Sequence, residues 1–288
     1  MEQYRIVLGL EIGRDFLRAA EVEDRNGEYF LSRIAERRLE SLNVEEMVRV
    51  ISLLMNEESI LSRIVSAAID TTLVDKGTID VDSDMRHEEI VSFLRAETAF
   101  HNDFVEKELR PAYEVISVKG DGTKEIFYAA VDKELLESLK NACTRCGLEL
   151  NFIDLDHSCS ELTVNKFIKP PENYILITVK GQQVEGSFCR DGERAAYKYV
   201  NYTGEPFYFV TKMSNDLESL VDDYAGRIFI TGSSADSFLI DLLQKSADSR
   251  YELLVPNENM LQSPAVLSNQ DLNPLPHYFS SVIGAALK

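Results

Sequence analysis

Apolar and polar positions follow the same order in two blocks of this chain, one at its start and one beyond residue 172. Residues 4–13 form an apolar run ending in glycine, and an alternating run and the turn Asn26-Gly27 follow. Residues 173–181 form a second such run, followed by 184–189 and the turn Asp191-Gly192. Both dipeptides tolerate the positive φ of hairpin turns. Each block therefore predicts strand, glycine turn, strand and hairpin, which indicates an internal duplication.

The spacing of apolar residues predicts further strands and helices. Strands are expected at residues 31–39, 63–70, 112–118, 125–131, 148–154, 227–232 and 251–256. Helices are expected at 215–225, from 233 onward and at 276–287. Four further helices are expected to begin at capping residues, namely Asn43, Asp84, Asp132 and Asp156. Because Pro170 and Pro171 stop a helix and stiffen a connection, the domain boundary is expected at 169–172.

Composition and charge narrow the function classes. The 288 residues are 44% hydrophobic and 27% charged, as in soluble globular proteins. No apolar run approaches the roughly 20 residues needed to cross a bilayer, and residues 1–5 do not resemble a signal peptide. The net charge of −19 repels phosphate backbones and anionic lipids. We therefore expect a cytoplasmic protein that binds no nucleic acid and does not insert into a membrane.

The two blocks resemble the openings of the two halves in the actin-like ATPase superfamily. Residues 8–13 with 19–22 are similar to the first strand and turn of the PilM family, a component of the type IV pilus assembly platform. Residues 129–131, 147–148 and 153–156 match a further block of that family, in the order strand, helix, Gly-Leu, strand, Asp. The relatives of PilM include the cytoplasmic part of GspL in type II secretion and, more distantly, FtsA.

This resemblance implies an α/β protein with a duplicated actin-like, ribonuclease H-like fold, in which two domains flank a cleft. Residues 1–169 would form the first domain, with a small inserted subdomain at about 64–127. Residues 172–275 would form the second domain. The helix at 276–288 would pack back on the first domain.

The resemblance also implies a nucleotide site at three turns, comprising Glu11, Gly13, Arg14, Gly181, Gly232 and Ser233. Several positions depart from the family pattern: Asp15 and Phe16 replace small hydroxyl residues, and 178–181 lacks a carboxylate. One interpretation is a working ATPase with altered ligands. The other is a retained fold whose turns need glycine for backbone reasons alone. No catalytic residue, metal site or cofactor is expected on the second interpretation, and ATP with magnesium is expected on the first.

Two smaller groups of residues have alternative explanations. Cys143 and Cys146 have the spacing of a metal or redox motif, but no second cysteine pair accompanies them, which favours a structural role. Asp154, Asp156 and His157 could suggest a metal site, but helix capping explains them more simply. Residues 86–97, with acidic side chains on one helical face, are either a partner surface or an ordinary solvated face.

The expected function is a cytoplasmic scaffold of a type IV pilus or type II secretion assembly platform. The resemblance implies that it binds the cytoplasmic segment of a PilN-like or GspL/GspM-like inner-membrane protein, in a groove between the first sheet and the small subdomain, here residues 64–104. It would lie at the inner membrane through that partner. An active ATPase or a small-molecule kinase is the alternative, and a homo-oligomer or filament stays open.

Overall fold

The computed structural model describes residues 4–99, 107–168, 173–220, 226–246, 250–256, 260–269 and 276–288. Two compact units interleave along the chain. Unit one contains Met1–Leu73, Leu135–Lys169 and Leu254–Lys288, and unit two contains Val74–Glu134 and Pro170–Leu253. The predicted boundary at 169–172 lies outside the described residues. Of the range predicted as an insert, residues 64–73 belong to unit one and residues 74–127 to unit two.

The described elements comprise strands and helices that mostly lie where the apolar periodicity predicts them. The strands are β1 (Tyr4–Ile12), β2 (Phe16–Arg25), β3 (Glu28–Arg38), β4 (Ile64–Ile69), β5 (Val74–Asp82), β6 (Leu109–Val118), β7 (Thr123–Asp132), β8 (Glu149–Leu155), β9 (Tyr174–Lys180), β10 (Gln183–Arg190), β11 (Glu193–Asn201), β12 (Ile228–Thr231), β13 (Tyr251–Leu253) and β14 (Leu261–Gln262). The α-helices are α1 (Val44–Glu57), α2 (His87–Thr98), α3 (Lys133–Arg145), α4 (Asp156–Thr163), α5 (Pro206–Glu218), α6 (Ser237–Ser246), α7 (Pro264–Leu267) and α8 (Ser280–Ala286).

Unit one is built on a six-stranded sheet in the order β14-β3-β2-β1-β4-β8. β1, β2 and β3 form consecutive antiparallel pairs, whereas β4 and β8 continue the sheet in parallel. α8 packs on β1, β2, β4 and α4. Glycines allow this close approach, since a Cβ added at Gly9 would lie 1.9 Å from Val282 O. A Cβ added at Gly284 would lie 1.8 Å from Cys159 O.

Unit two contains a five-stranded sheet in the order β11-β10-β9-β12-β13. Its strands repeat the pattern of unit one, with two antiparallel pairs followed by two parallel ones. A separate three-stranded sheet, β5-β7-β6, belongs to the same unit and carries α2. Ile90 and Leu94 of α2 are buried against Val81, Ile126 and Tyr128 of that sheet. The predicted duplication is confirmed by these two equivalent strand orders.

Local signals placed both hairpin turns and the start of α1 correctly. Asn26 and Gly27 have φ of 59° and 89°, and Asp191 and Gly192 have φ of 53° and 84°. Each pair therefore has the two positive φ angles of a tight hairpin turn. The side chain of Asn43 accepts a hydrogen bond from the Glu46 N–H at 2.9 Å, which caps α1 as predicted.

Other helix starts differ from the prediction. α2 begins after Arg86 rather than at Asp84, because the Arg86 N–H donates to the Glu89 carboxylate at 2.8 Å. The N-cap of α4 is Leu155, and Asp156 lies inside the helix. α5 begins at Pro206, well before the predicted 215, and proline is favoured at a first helical position. Residues 221–225 of that prediction lie outside the described residues.

The part of the chain that the structure describes has no helix both long enough and apolar enough to cross a membrane.

Candidate functional site

Three acidic side chains meet at the carboxyl ends of the parallel strands of unit one. Glu11 lies near the end of β1, Asp70 follows β4 and Asp156 follows β8. Because these strands are parallel, their carboxyl ends share one edge of the sheet. The three side chains are buried, and each offers a carboxylate oxygen within 4.8 Å of the others. The backbone N–H groups of Thr71 and His157 donate to Asp156 Oδ1 at 3.1 and 2.8 Å.

Arg18 supplies positive charge to this acidic cluster. Its Nη1 lies 3.4 Å from Glu11 Oε1, and its Nε donates to Glu36 Oε2 at 2.6 Å. The guanidinium carbon lies 4.1 Å from the ring centroid of Phe16 and 5.4 Å from that of Tyr278. Although burial lowers the pKa of Arg18, the charges of Glu11 and Glu36 raise it above its ordinary value. Arg18 is therefore a permanent cation in the cluster.

Glu11 also accepts a hydrogen bond from the C-terminal helix. The Ser281 hydroxyl donates to Glu11 Oε2 at 2.6 Å, so both carboxylate oxygens have contacts within unit one. Arg18 and Ser281 thus contact the acidic cluster from inside the protein.

The first predicted nucleotide turn is closed by its own backbone. The Gly13 N–H donates to Phe16 O at 3.0 Å, which joins β1 to β2. A Cβ added at Gly13 would lie 2.2 Å from Cε1 of the Phe16 ring, so the ring covers the glycine. Arg14 is exposed at the tip of the turn.

The second predicted turn has a buried ion pair where the family pattern has a carboxylate. Lys180 Nζ lies 2.8 Å from Glu185 Oε1, and the side chain of Glu185 is fully buried. The Tyr197 hydroxyl donates to Glu185 Oε2 at 2.6 Å. Gly181, which follows β9, is exposed and has φ of 29°.

The third predicted turn needs its glycine for a backbone contact. Gly232 has φ of 102°, and a Cβ added there would lie 2.4 Å from Val179 O. The Ser234 N–H donates to the same carbonyl oxygen at 3.0 Å. Ser233 is exposed beside this contact. The structure thus brings Gly181, Gly232 and Ser233 to the carboxyl ends of β9 and β12 in unit two.

The remaining candidates have structural contacts. Cys143 is buried, and burial, followed by the nearby Cys146, raises its pKa to about 12. Cys146 Sγ lies 3.4 Å from Ser52 Oγ. The cysteine pair therefore lies in a packed helix end.

Asp154 is not part of the acidic cluster. Its side chain pairs with Lys288 Nζ at 3.3 Å.

Sequence reasoning missed Arg18, Asp70 and Ser281 as parts of the site. A signal for Arg18 existed in the hairpin, because a turn closed between Gly13 and Phe16 places residue 11 opposite residue 18. Asp70 and Ser281 are separated from Glu11 by long stretches of chain, and only the parallel strands and the docking of α8 bring them together.

No family model and no curated protein sequence matches this chain. Among solved structures, a chain of the PilM–PilN type IV pilus biogenesis complex is similar in fold. It has a TM-score of 0.72 and 17% sequence identity, over 98% of this chain and 97% of that one. A Bacteroides thetaiotaomicron protein with an actin-like ATPase fold has a TM-score of 0.54 and 13% identity, over 90% and 93%.

This chain has the actin-like ATPase fold. The cytoplasmic domain of EpsL is also similar, and EpsL is an inner-membrane component of the type II secretion system of Vibrio cholerae. The TM-score is 0.50 at 10% identity, over 98% of this chain and 95% of that one. The predicted resemblance to PilM and to a type II secretion component is therefore confirmed at the level of the actin-like fold.

Proposed function

We propose that this chain is a cytoplasmic actin-like scaffold of a type IV pilus or type II secretion assembly platform. The observation that carries the proposal is the likeness to a PilM–PilN complex chain, with 98% of this chain and 97% of that one covered. The likeness to the EpsL cytoplasmic domain points to the same class of assembly. The chain would bind the cytoplasmic segment of a PilN-like or GspL/GspM-like protein and lie at the inner membrane through it.

The exposed face of α2 is the proposed contact surface for that segment. Ile90 and Leu94 bury one face of the helix, and the side chains of Glu88 and Glu97 are exposed on either side of that face. The chain also has a net charge of −19. A basic cytoplasmic segment suits such a surface, because opposite charges raise the rate and specificity of association.

Synthetic peptides provide the test. The cytoplasmic N-terminal segments of single-span membrane proteins encoded beside this chain would be labelled and titrated by fluorescence anisotropy. We expect one segment to bind with a Kd of about 10 μM or lower. Glu88→Lys and Glu97→Lys should each weaken binding several-fold, whereas Glu193→Lys, at an exposed hairpin turn of unit two, should not. Failure of every segment to bind would contradict partner binding.

We also propose that the nucleotide site is degenerate. A magnesium triphosphate needs oxygen ligands for the hydrated metal and free backbone N–H groups for the phosphates. In this chain, Arg18 and Ser281 contact Glu11, and the Gly13 N–H donates within its own turn. Residues 178–181 lack the carboxylate that the resemblance implies, and Lys180 pairs with Glu185. The residues of the predicted nucleotide turns therefore do not fit a magnesium triphosphate.

Calorimetric titration with Mg-ATP tests the degenerate site separately from partner binding. We expect no binding tighter than about 100 μM, which corresponds to about −5.5 kcal/mol. A tighter value would support the second candidate, an active ATPase or small-molecule kinase. The three carboxylates of the acidic cluster favour that candidate, since they could hold a divalent cation if Arg18 moved away.

A further inference from the structure

A cavity of about 500 Å³ lies in unit two. β5 and β7 form one wall, β11 forms the second and α5 forms the third. Its volume falls within the roughly 300–1,000 Å³ typical of small-molecule sites. None of the residues predicted for the nucleotide site lines it.

The lining of this cavity is basic, although the chain is acidic. Three lysines line it, Lys76, Lys198 and Lys212, against a single acidic residue, Asp216. The whole chain has 49 acidic and 30 basic residues, so the local balance is the reverse of the overall one. Among the described residues, neither Lys198 nor Lys212 has an ion-pair partner. Both side chains are therefore available to a ligand.

One of the three lysines is held in place by the protein. Lys76 is only 3% exposed, and its Nζ donates to Gln183 Oε1 at 3.1 Å. The same Nζ lies 5.0 Å from the ring centroid of Tyr199. An ammonium held in this way is positioned before a ligand arrives, which lowers the entropy cost of binding.

Aromatic residues complete the walls. Tyr199 is 42% exposed, so part of its ring is open to a ligand. Burial, followed by the charge of Asp75, raises the pKa of Tyr128, whose hydroxyl therefore stays protonated. Tyr128 is packed against Gly77, where an added Cβ would lie 3.2 Å from the ring. The cavity thus combines ammonium groups, a neutral hydroxyl donor and an aromatic ring.

We propose that this cavity binds a small organic polyanion. Phosphate or carboxylate groups contact Lys76, Lys198 and Lys212, and a flat ring of the ligand packs on Tyr199. This site goes beyond the scaffold function and does not depend on it. Its lining residues also differ from those that the actin-like resemblance predicts for the nucleotide site.

Calorimetric titration of the full chain in EDTA and low salt tests the proposal. The probes are ADP, inorganic pyrophosphate, citrate and uncharged adenosine. We expect ADP to bind with a Kd below about 1 mM and adenosine to bind at least tenfold more weakly. Affinity should fall as salt is raised, because salt screens charge attraction. Pyrophosphate tests whether the site recognises phosphate, and citrate tests whether it recognises carboxylate. Binding of either anion at the lysines supports the proposed site.

Charge-reversal variants test whether the anion binds at these lysines. Lys198→Glu and Lys212→Glu should each weaken ADP binding at least tenfold; Lys212 is exposed and Lys198 is half-buried. Lys245→Glu is the matched control on the exposed face of α6, and it should change the affinity less than twofold. The proposal is overturned if none of the three anions binds saturably, or if both lysine variants bind ADP as tightly as the unmodified chain.

Discussion

Arg18 and Glu11 face each other across the hairpin of β1 and β2, with Arg18 Nη1 3.4 Å from Glu11 Oε1. Both side chains are more than nine-tenths buried. Glu11 occupies the position at which the family resemblance implies a carboxylate for the metal. The cation beside Glu11 is the guanidinium of Arg18, which belongs to the same chain and cannot dissociate as a bound metal can. One positive charge beside the three carboxylates is therefore built into the fold.

Removing Arg18 should be far more destabilising than neutralising Glu11. Arg18→Met leaves Glu11, Asp70 and Asp156 buried within 4.8 Å of one another, and we expect a loss of about 3–5 kcal/mol. Glu11→Gln should cost less, because Arg18 keeps its contact with Glu36 at 2.6 Å. Urea unfolding followed by circular dichroism measures both. Equal losses in the two variants would contradict this role of Arg18.

Divalent cations should partly replace the missing guanidinium. In Arg18→Ala, the acidic cluster offers three carboxylates to Mg²⁺ or Mn²⁺, and ligand binding to the folded state alone raises stability. At a concentration of one hundred times the Kd, the gain is about 2.7 kcal/mol. Thermal melts of Arg18→Ala with and without the cation measure it. The unmodified chain and the double variant Arg18→Ala/Glu11→Gln should respond little, and an equal response in all three would disprove site-specific binding.

The docking of α8 should depend on two glycines. A Cβ at Gly284 would lie 1.8 Å from Cys159 O, and one at Gly9 would lie 1.9 Å from Val282 O. Because the obstructing atoms are backbone, Gly9→Ala and Gly284→Ala should each cost about 3 kcal/mol or more. Gly120→Ala is the control, since an added Cβ there meets nothing within 4 Å. Chemical unfolding would compare the three, and a loss of under 1 kcal/mol at Gly284 would refute this packing account.

The sequence predicts best what short-range chemistry decides. Asn26-Gly27 and Asp191-Gly192 specify their turns through the φ angles that these residues tolerate. Asn43 caps α1 because its side chain reaches the N–H of a residue three positions along. The duplication could be predicted because such local units repeat, and the fold class was predicted from the family resemblance that the repeated blocks carry.

Local sequence patterns could not predict contacts between segments that are distant in the chain. β14 and α7 were not predicted. β14 has only two residues, and it forms by pairing with β3. The contact between Ser281 and Glu11 likewise joins residues 270 positions apart. The acidic cluster could therefore be identified only after the parallel strands and α8 had been placed.

Only one of the four cysteines should react in the folded protein. Cys143, Cys159 and Cys189 are buried, and burial raises the pKa of Cys143 to about 12 and that of Cys159 well above its ordinary value. Thiolates are the reactive species, so these thiols should stay unmodified. A colorimetric thiol assay should count one slow thiol when folded, Cys146, and four in guanidinium. Cys146→Ser should lower each count by one. Rapid reaction of two thiols would favour the redox interpretation of the pair.

Glu46 should stabilise the protein at neutral pH but not in strong acid. The Arg49 side chain, followed by the Glu40 N–H, lowers the pKa of Glu46 from 4.5 to about 2. A carboxyl with a depressed pKa in the folded state stabilises fully above its unfolded pKa and loses that contribution as the pH falls through its folded pKa.

Glu46→Gln should therefore melt below the unmodified chain at pH 7, and the gap should narrow between about pH 4.5 and pH 2. Glu193→Gln, in the exposed turn after Gly192, corrects for the loss of one negative charge. Thermal melts of the three proteins across this range measure the gap. A gap that stays constant down to pH 2 would mean that the Glu46 charge contributes nothing, and that the substitution acts through packing in the first turn of α1.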